Sequence, residues 1–182
     1  MSAPNPDATW TELIKLTQGV IQSLGLVYSN SANQPVSLPG SQVYIFKVPT
    51  DGYRIPLTAT GQQIPLPCVQ ICPGRLEDVA NSIQDFENTQ VIYPVLVFLL
   101  FGDNGTLALN NDLLYWRQAI YSAFEDFPSN LAGQITSFVS DVSVWDCQIT
   151  AQPVFDLAVW QKENMDFSWL TLNYTTTRSR GR

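Results

Sequence analysis

Apolar residues along this chain fall into two helical stripes and a set of extended runs. In "TWTELIKLTQGVIQSLG", Trp10, Leu13, Ile14, Thr17, Val20, Ile21 and Leu24 recur every three or four residues, which predicts an amphipathic helix over 10–24. Thr9 followed by Glu12 fits a capping box, where hydroxyl and carboxylate satisfy orphan amides reciprocally, and Gly25 supplies the stop. In "NNDLLYWRQAIYSAFEDF", Leu113, Trp116 or Arg117, Ile120, Tyr121 and Phe124 predict a second helix, capped by Asn111 or Asp112.

The extended runs are "VYIFKV" (43–48), "CVQIC" (68–72, stopped by Pro73-Gly74), a strand within 143–151, and "FSWLTLNYTTT" (167–177). The longest apolar run, Val91 to Phe101, holds no charge and no side-chain amide. Its β-branched and aromatic content and the following "GDNG" favour a strand, and apolar residues on both of its faces predict a central one. Pro94 is tolerable there if its missing N–H meets no partner.

Between these runs, 27–42 is polar and turn-rich, and 75–90 reads equally as a connector or a short helix with Val79, Ile83 and Phe86 as weak anchors. Residues 152–166 are ambiguous. Four prolines and two glycines over 49–67 predict an extended arm or long hairpin, and loops of that length commonly bind something. The order α, β, β, β, α, β, β predicts an α+β fold in a single domain spanning 1–182. Its sheet is mostly antiparallel, four- to five-stranded, with two helices packed on one face. Two helices of that length cover only one side. The other side is buried either by a second copy or partner, or by the chain's own arms folding back.

Composition narrows the function classes. Charged residues make up 14% of the chain, below the usual ~25%, which fits a surface partly covered by another subunit. A net charge of −7 argues against general nucleic-acid binding. Arg178, Arg180 and Arg182 place a basic tail at about 174–182, a docking tail or a solvated terminus. Cys68 and Cys72, four apart on a strand, are too far apart for a disulfide, and with a lone Cys147 the three read as buried reduced thiols of a protein folded inside the cell. The apolar run is too short for a transmembrane helix, so no membrane partner is expected, and no secretory signal is visible.

The absence of histidine removes Ser–His–Asp and Cys–His catalysis and conventional zinc sites. No phosphate-cradling glycine motif is present, and nothing sets Asp141 with Asp146, or Glu125 with Asp126, apart from surface acids. The expectation is a protein that is not an enzyme and carries no cofactor. The five tryptophans read as core and interface anchors rather than a sugar platform.

Pro73-Gly74 after a short strand, "VIYPVLVFLL" (91–100), the helix "LLYWRQAIYSAF" (113–124) and the closing "FSWLTLNYTTTRSRGR" together resemble phage tail terminator (tail completion) proteins. The resemblance implies a structural virion protein at the tail–neck junction, assembled in the host cytoplasm. Such a protein forms a homo-oligomeric ring, commonly a hexamer, that caps the tail tube, docks the neck or connector proteins, and lets DNA pass through its lumen without specific binding. Candidate interface residues under that reading are Tyr53 and Arg54 on the arm, and Tyr174, Arg178, Arg180 and Arg182 at the C-terminal end. Another neck component, such as a head–tail stopper, is the nearest alternative. From a different class, a soluble module could hold a ligand or peptide between the proline-rich arm and helix 113–126.

Overall fold

The chain runs α1 (Pro6–Ser23), β1 (Val27–Ser29), β2 (Pro35–Ser37), a 3-10 turn (Gly40–Gln42), β3 (Val43–Ile45), β4 (Cys68–Pro73), β5 (Asp78–Asp85), β6 (Asn88–Gly102), α2 (Asn111–Glu125), β7 (Val142–Ala151) and β8 (Met165–Ser179). The computed structural model describes residues 6–46, 64–74, 78–85, 88–102, 110–125, 142–156, 158, 161 and 164–179. The class is α+β, as the order of elements implies.

Five strands lie side by side in the order β3-β4-β6-β8-β7, and β5 pairs with the remaining length of β6. All pairings in this sheet are antiparallel except β3 with β4. The sheet is therefore mixed, and the reason is the connection: residues 46–67 are long enough to return the chain to the end where β3 began.

The central strand is β6, as its doubly apolar pattern predicts. It pairs with β8 without interruption from Asn88↔Ser179 to Gly102↔Met165. Its other edge is shared: β4 takes Val95–Leu100 and β5 takes the stretch from Asn88 to Ile92. Strands β4 and β5 thus run in line, broken at Gly74. Pro94 sits at that break. Its carbonyl accepts the Gly74 N–H at 2.6 Å. N–H and C=O of one residue point to the same strand edge, so the donor that proline lacks would face the gap between β4 and β5. The polar stretch expected as a connector or short helix is instead the edge strand β5, because β6 offers it a backbone template.

The helix α1 begins at Pro6, whose fixed φ suits a first helical position, three residues before the expected capping box. Thr9 is consequently inside the helix and buried, and Glu12 pairs with Lys15 on the surface at 3.1 Å. The predicted stop is correct: Gly25 has φ +59°, the left-handed conformation that glycine adopts without penalty. For α2, Asn110 rather than Asn111 or Asp112 is the cap, its Oδ1 accepting from the N–H groups of Asp112 (3.1 Å) and Leu113 (3.2 Å). Asp112 is free to accept the Ser29 N–H at 2.8 Å. Together with the Trp116 Nε1–H donating to the Val27 carbonyl at 2.6 Å, this ties α2 to the β1–β2 hairpin, which occupies part of a stretch expected to be irregular.

Both helices lie on one face. Leu13, Val20 and Ile21 of α1 and Leu113, Trp116, Ile120 and Phe124 of α2 pack on Val91, Tyr93, Val95, Val97, Leu99 and Phe101 of β6 and on Leu170, Leu172 and Tyr174 of β8. Every second residue of β6 contributes, as a pleated strand requires.

Gly74 leaves no room for a side chain. A Cβ there would lie 2.6 Å from Pro94 Cγ and 2.7 Å from the Pro94 carbonyl oxygen. Gly74→Ala should therefore destabilise the fold by about 1–3 kcal/mol through overpacking, read as a lower urea midpoint at unchanged slope. An unchanged midpoint would contradict the close approach.

Candidate functional site

The face of the sheet away from the helices is the candidate surface, and it has three zones. At the β3–β4 end, Cys68, Cys72, Phe98, Leu100, Met165 and Phe167 form a second buried cluster, with Tyr44, Phe46, Leu96 and Trp169 half-buried around it. Phe98 and Phe167 stack with ring centroids 5.4 Å apart. The lid over this zone comes from the same chain: Ile64 is 3% exposed and Leu66 packs beside it. Gln42 holds the lid's backbone, donating from Nε2 to the Pro67 carbonyl at 3.0 Å.

Toward β7 the same face turns polar. Asn173 Nδ2 donates to Thr150 Oγ1 at 2.8 Å, and Gln148 Nε2 donates to Asp146 Oδ2 at 3.1 Å. Between the sealed apolar zone and this polar one lies a half-exposed strip of Ile92, Pro94, Leu96 and Trp169. Of the two coverings expected for the second face, a partner or the chain's own arm, the chain itself supplies one part. The Phe98–Leu100 end of that face is closed intramolecularly by residues 64–67 and its β7 side is polar, and among the described residues the strip between them is incompletely covered.

Of the candidate interface residues, Tyr53, Arg54, Arg180 and Arg182 lie outside the described residues. Arg178 belongs to β8, where its backbone pairs with Thr89 on one side and Val142 on the other. Strand β8 continues through Ser179, so residues 174–179 of the basic tail expected at 174–182 are strand. Tyr174 is a correction: it is completely buried on the helix side and offers nothing to a partner. Its hydroxyl lies 2.8 Å from Thr17 Oγ1, which spends its own proton on the Leu13 carbonyl at 2.8 Å. Tyr174 therefore donates, and Thr17 relays the bond into α1. Burial, with the Cys147 thiol beside it, pushes the Tyr174 hydroxyl well above its ordinary pKa.

All three thiols are buried and unpaired. Burial pushes Cys68 and Cys72 up to about 12, against a small opposing hydrogen bond from Gln70 to Cys68, and raises Cys147 further still. At neutral pH they are protonated, which suppresses nucleophilic and metal-binding character. Among the described residues no group of His, Cys, Asp or Glu could hold a metal ion, and no helix is long and apolar enough to cross a membrane.

Three features were not legible beforehand. Arg117, left as an alternative to Trp116 in the helix stripe, reaches from α2 to Ser168 Oγ (2.7 Å), the Trp169 carbonyl (3.0 Å) and the Gln152 carbonyl, pinning the segment after β7 to β8. Burial lowers its pKa. Trp145 occupies a bulge in β7, between the Val144↔Thr176 and Asp146↔Thr175 pairs, and is 47% exposed. Tyr115 and Tyr121 are exposed on α2, although the helical period placed Tyr121 in the buried stripe. No protein-family model matches the chain, and no curated protein matches it significantly.

Tyr174→Phe should cost about 1 kcal/mol in chemical denaturation, the net worth of one buried hydrogen bond. A neutral result would mean that the Tyr174–Thr17 contact adds nothing to holding α1 on the sheet. The thiols set a pH dependence. Their folded pKa values exceed the ordinary 9.0. The stability they contribute is thus fully present below about pH 9 and lost as pH rises toward 12. The slope is at most about 1.4 kcal/mol per pH unit per thiol. Cys68→Ala combined with Cys72→Ala should flatten that alkaline loss, measured as urea midpoints between pH 8 and 11. An unchanged slope would show that these thiols ionise equally in both states.

Proposed function

We propose that this chain is a structural assembly subunit that closes into a ring at the head-proximal end of a phage tail, capping the tail tube and docking the neck. The observation that carries the reading is the incompletely covered strip of Ile92, Pro94, Leu96 and Trp169 along the central strands, flanked by a polar zone. Aromatic and aliphatic groups half out of water beside a polar rim have the character of a subunit contact rather than a finished surface. The resemblance of "VIYPVLVFLL", the α2 sequence and the closing strand to tail terminator proteins supplies the biological setting.

In this reading the subunit acts by shape. Head-to-tail contacts close a ring when the rotation per subunit divides the circle, and the resemblance to tail terminator proteins implies six copies. A net charge of −7 suits a lumen that DNA traverses without sticking, by repulsion of its phosphates. Tail tube and neck proteins are the partners on the two faces of the ring, and the virion is the location. A neighbouring neck component of the same architecture would satisfy the same observations, and the ability to cap tubes separates the two.

Negative-stain microscopy of the full chain, alone and mixed with tail tubes, tests this. Closed annular particles with a central opening, found at one end of the tubes, are the expected result. A chain that stays monomeric at tens of micromolar and leaves tube ends bare would sink the proposal.

A further inference from the structure

The ring reading leaves open which surfaces meet, and the two layers of the subunit supply an answer that rests on that reading. A strand apolar on both faces is ordinarily covered by helices on both. Strand β6 has α1 and α2 against one face, while Ile92, Pro94 and Leu96 on the other remain half-exposed. The strip they form with Trp169 of β8 is two strands wide, about 10 Å. It runs about 20 Å, from Ile92 to the register of Phe98, the residue paired with Trp169. Those are the dimensions of one short helix: a helix of fifteen residues, the length of α2, is roughly 22 Å long and 10–12 Å across.

Helix α2 also has the matching surface. Its solvent face carries Leu114, Tyr115, Gln118, Tyr121 and Ser122, with Glu125 in the last turn as the sole charge on that face. Asp112 and Arg117 are turned to β1 and β8 instead. Tyr115 is 53% exposed and Tyr121 38%. The surface of α1, by contrast, presents the Glu12–Lys15 ion pair. Charge favours α2: copies carrying −7 each repel, so they meet most readily where neither presents a charge, and the strip is uncharged as well.

We propose that the outer face of α2 in one copy lies along the strip of the next, with Tyr115 and Tyr121 packed on Ile92, Leu96 and Trp169 as a second helical layer over β6. Helix and strip are on opposite faces of one sheet, so the contact runs front to back, joins unlike surfaces and can repeat around a ring. A footprint of about 20 by 10 Å is small beside the roughly 800 Å² per partner of a stable pair. A lone pair of copies is therefore weak. In a closed ring each copy is held twice, through its own α2 and its own strip, and closure makes the two contacts cooperative.

Hydroxyl-radical footprinting of the unaltered chain, assembled and as dilute monomer, locates the contact without any substitution. Tyr115, Tyr121 and Trp169 should lose most of their labelling on assembly, and Trp145 should keep it. Light scattering coupled to size exclusion should resolve monomer and closed oligomer with no stable dimer between them. Tyr121→Lys, at an exposed position where circular dichroism should stay unchanged, should raise the concentration needed for assembly at least about tenfold, since an unpaired ammonium would be buried against the strip. Lys15→Ser on α1 should assemble as the unaltered chain does. If the chain assembles but the two tyrosines label as in the monomer, if Trp145 is protected in their place, if a stable dimer accumulates, or if Tyr121→Lys assembles normally, the α2 contact is wrong while the ring reading stands. If the unaltered chain never assembles, both fall.

Discussion

The uninterrupted ladder between β6 and β8 is the constraint from which the rest of the structure follows. Each of these strands is fifteen residues long, about 50 Å at the usual rise, and β6 is apolar on both faces over most of that length. A strand of this kind is stable only in the middle of a sheet with something apolar against each side. The helices answer for one side. On that side the Tyr174–Thr17 bond ties α1 to β8, and the packing of Trp116, Phe124 and the β6 row holds the layers together.

The other side is met by a division of labour along the strand. Where β6 carries Phe98 and Leu100, the chain brings back Ile64 and Leu66, with Gln42 fixing the returning backbone. Where β8 and β7 carry Thr150, Gln148 and Asn173, no lid is needed. Only the strip around Leu96 and Trp169 lies between these solutions. That gradation leaves a narrow band of the second face, among the described residues, with apolar side chains partly in contact with water. The Gly74–Pro94 contact belongs to the same economy. It lets one edge of β6 serve two in-line partners, with the missing donor of proline placed where no partner would have used it.

Much of this architecture was written in the periodicity. The stripe from Trp10 to Leu24, the stripe from Leu113 to Phe124 and the double-sided run from Val91 to Phe101 each became the element their pattern implies, because strong periodicity reflects burial directly. What the pattern could not convey were features set by neighbours. The strand at Asp78–Asp85 has no strong alternation and exists because β6 templates it. The parallel step between β3 and β4 follows from the length of the connection, which the sequence leaves undirected. Tyr174 reads as a plausible interface aromatic until its position opposite Thr17 is known. Trp145 reads as an ordinary strand residue until the bulge exposes it. The arm residues Tyr53 and Arg54 lie outside the described residues, so their part in any contact rests on sequence alone.

The central claim is that β6 is covered on both faces by its own chain at the Phe98–Leu100 end, and the cysteines report on it directly. Cys68 and Cys72 lie on the face closed by residues 64–67, whereas Cys147 lies under the helices. Native-state labelling with a small alkylating reagent, located by peptide mass spectrometry, compares the two faces in one experiment. The account predicts that all three thiols stay protected under native conditions and become reactive together as the fold is lost in urea. Rapid, complete labelling of Cys68 and Cys72 in the native protein, with Cys147 untouched, would mean that the second face lies open and would contradict it.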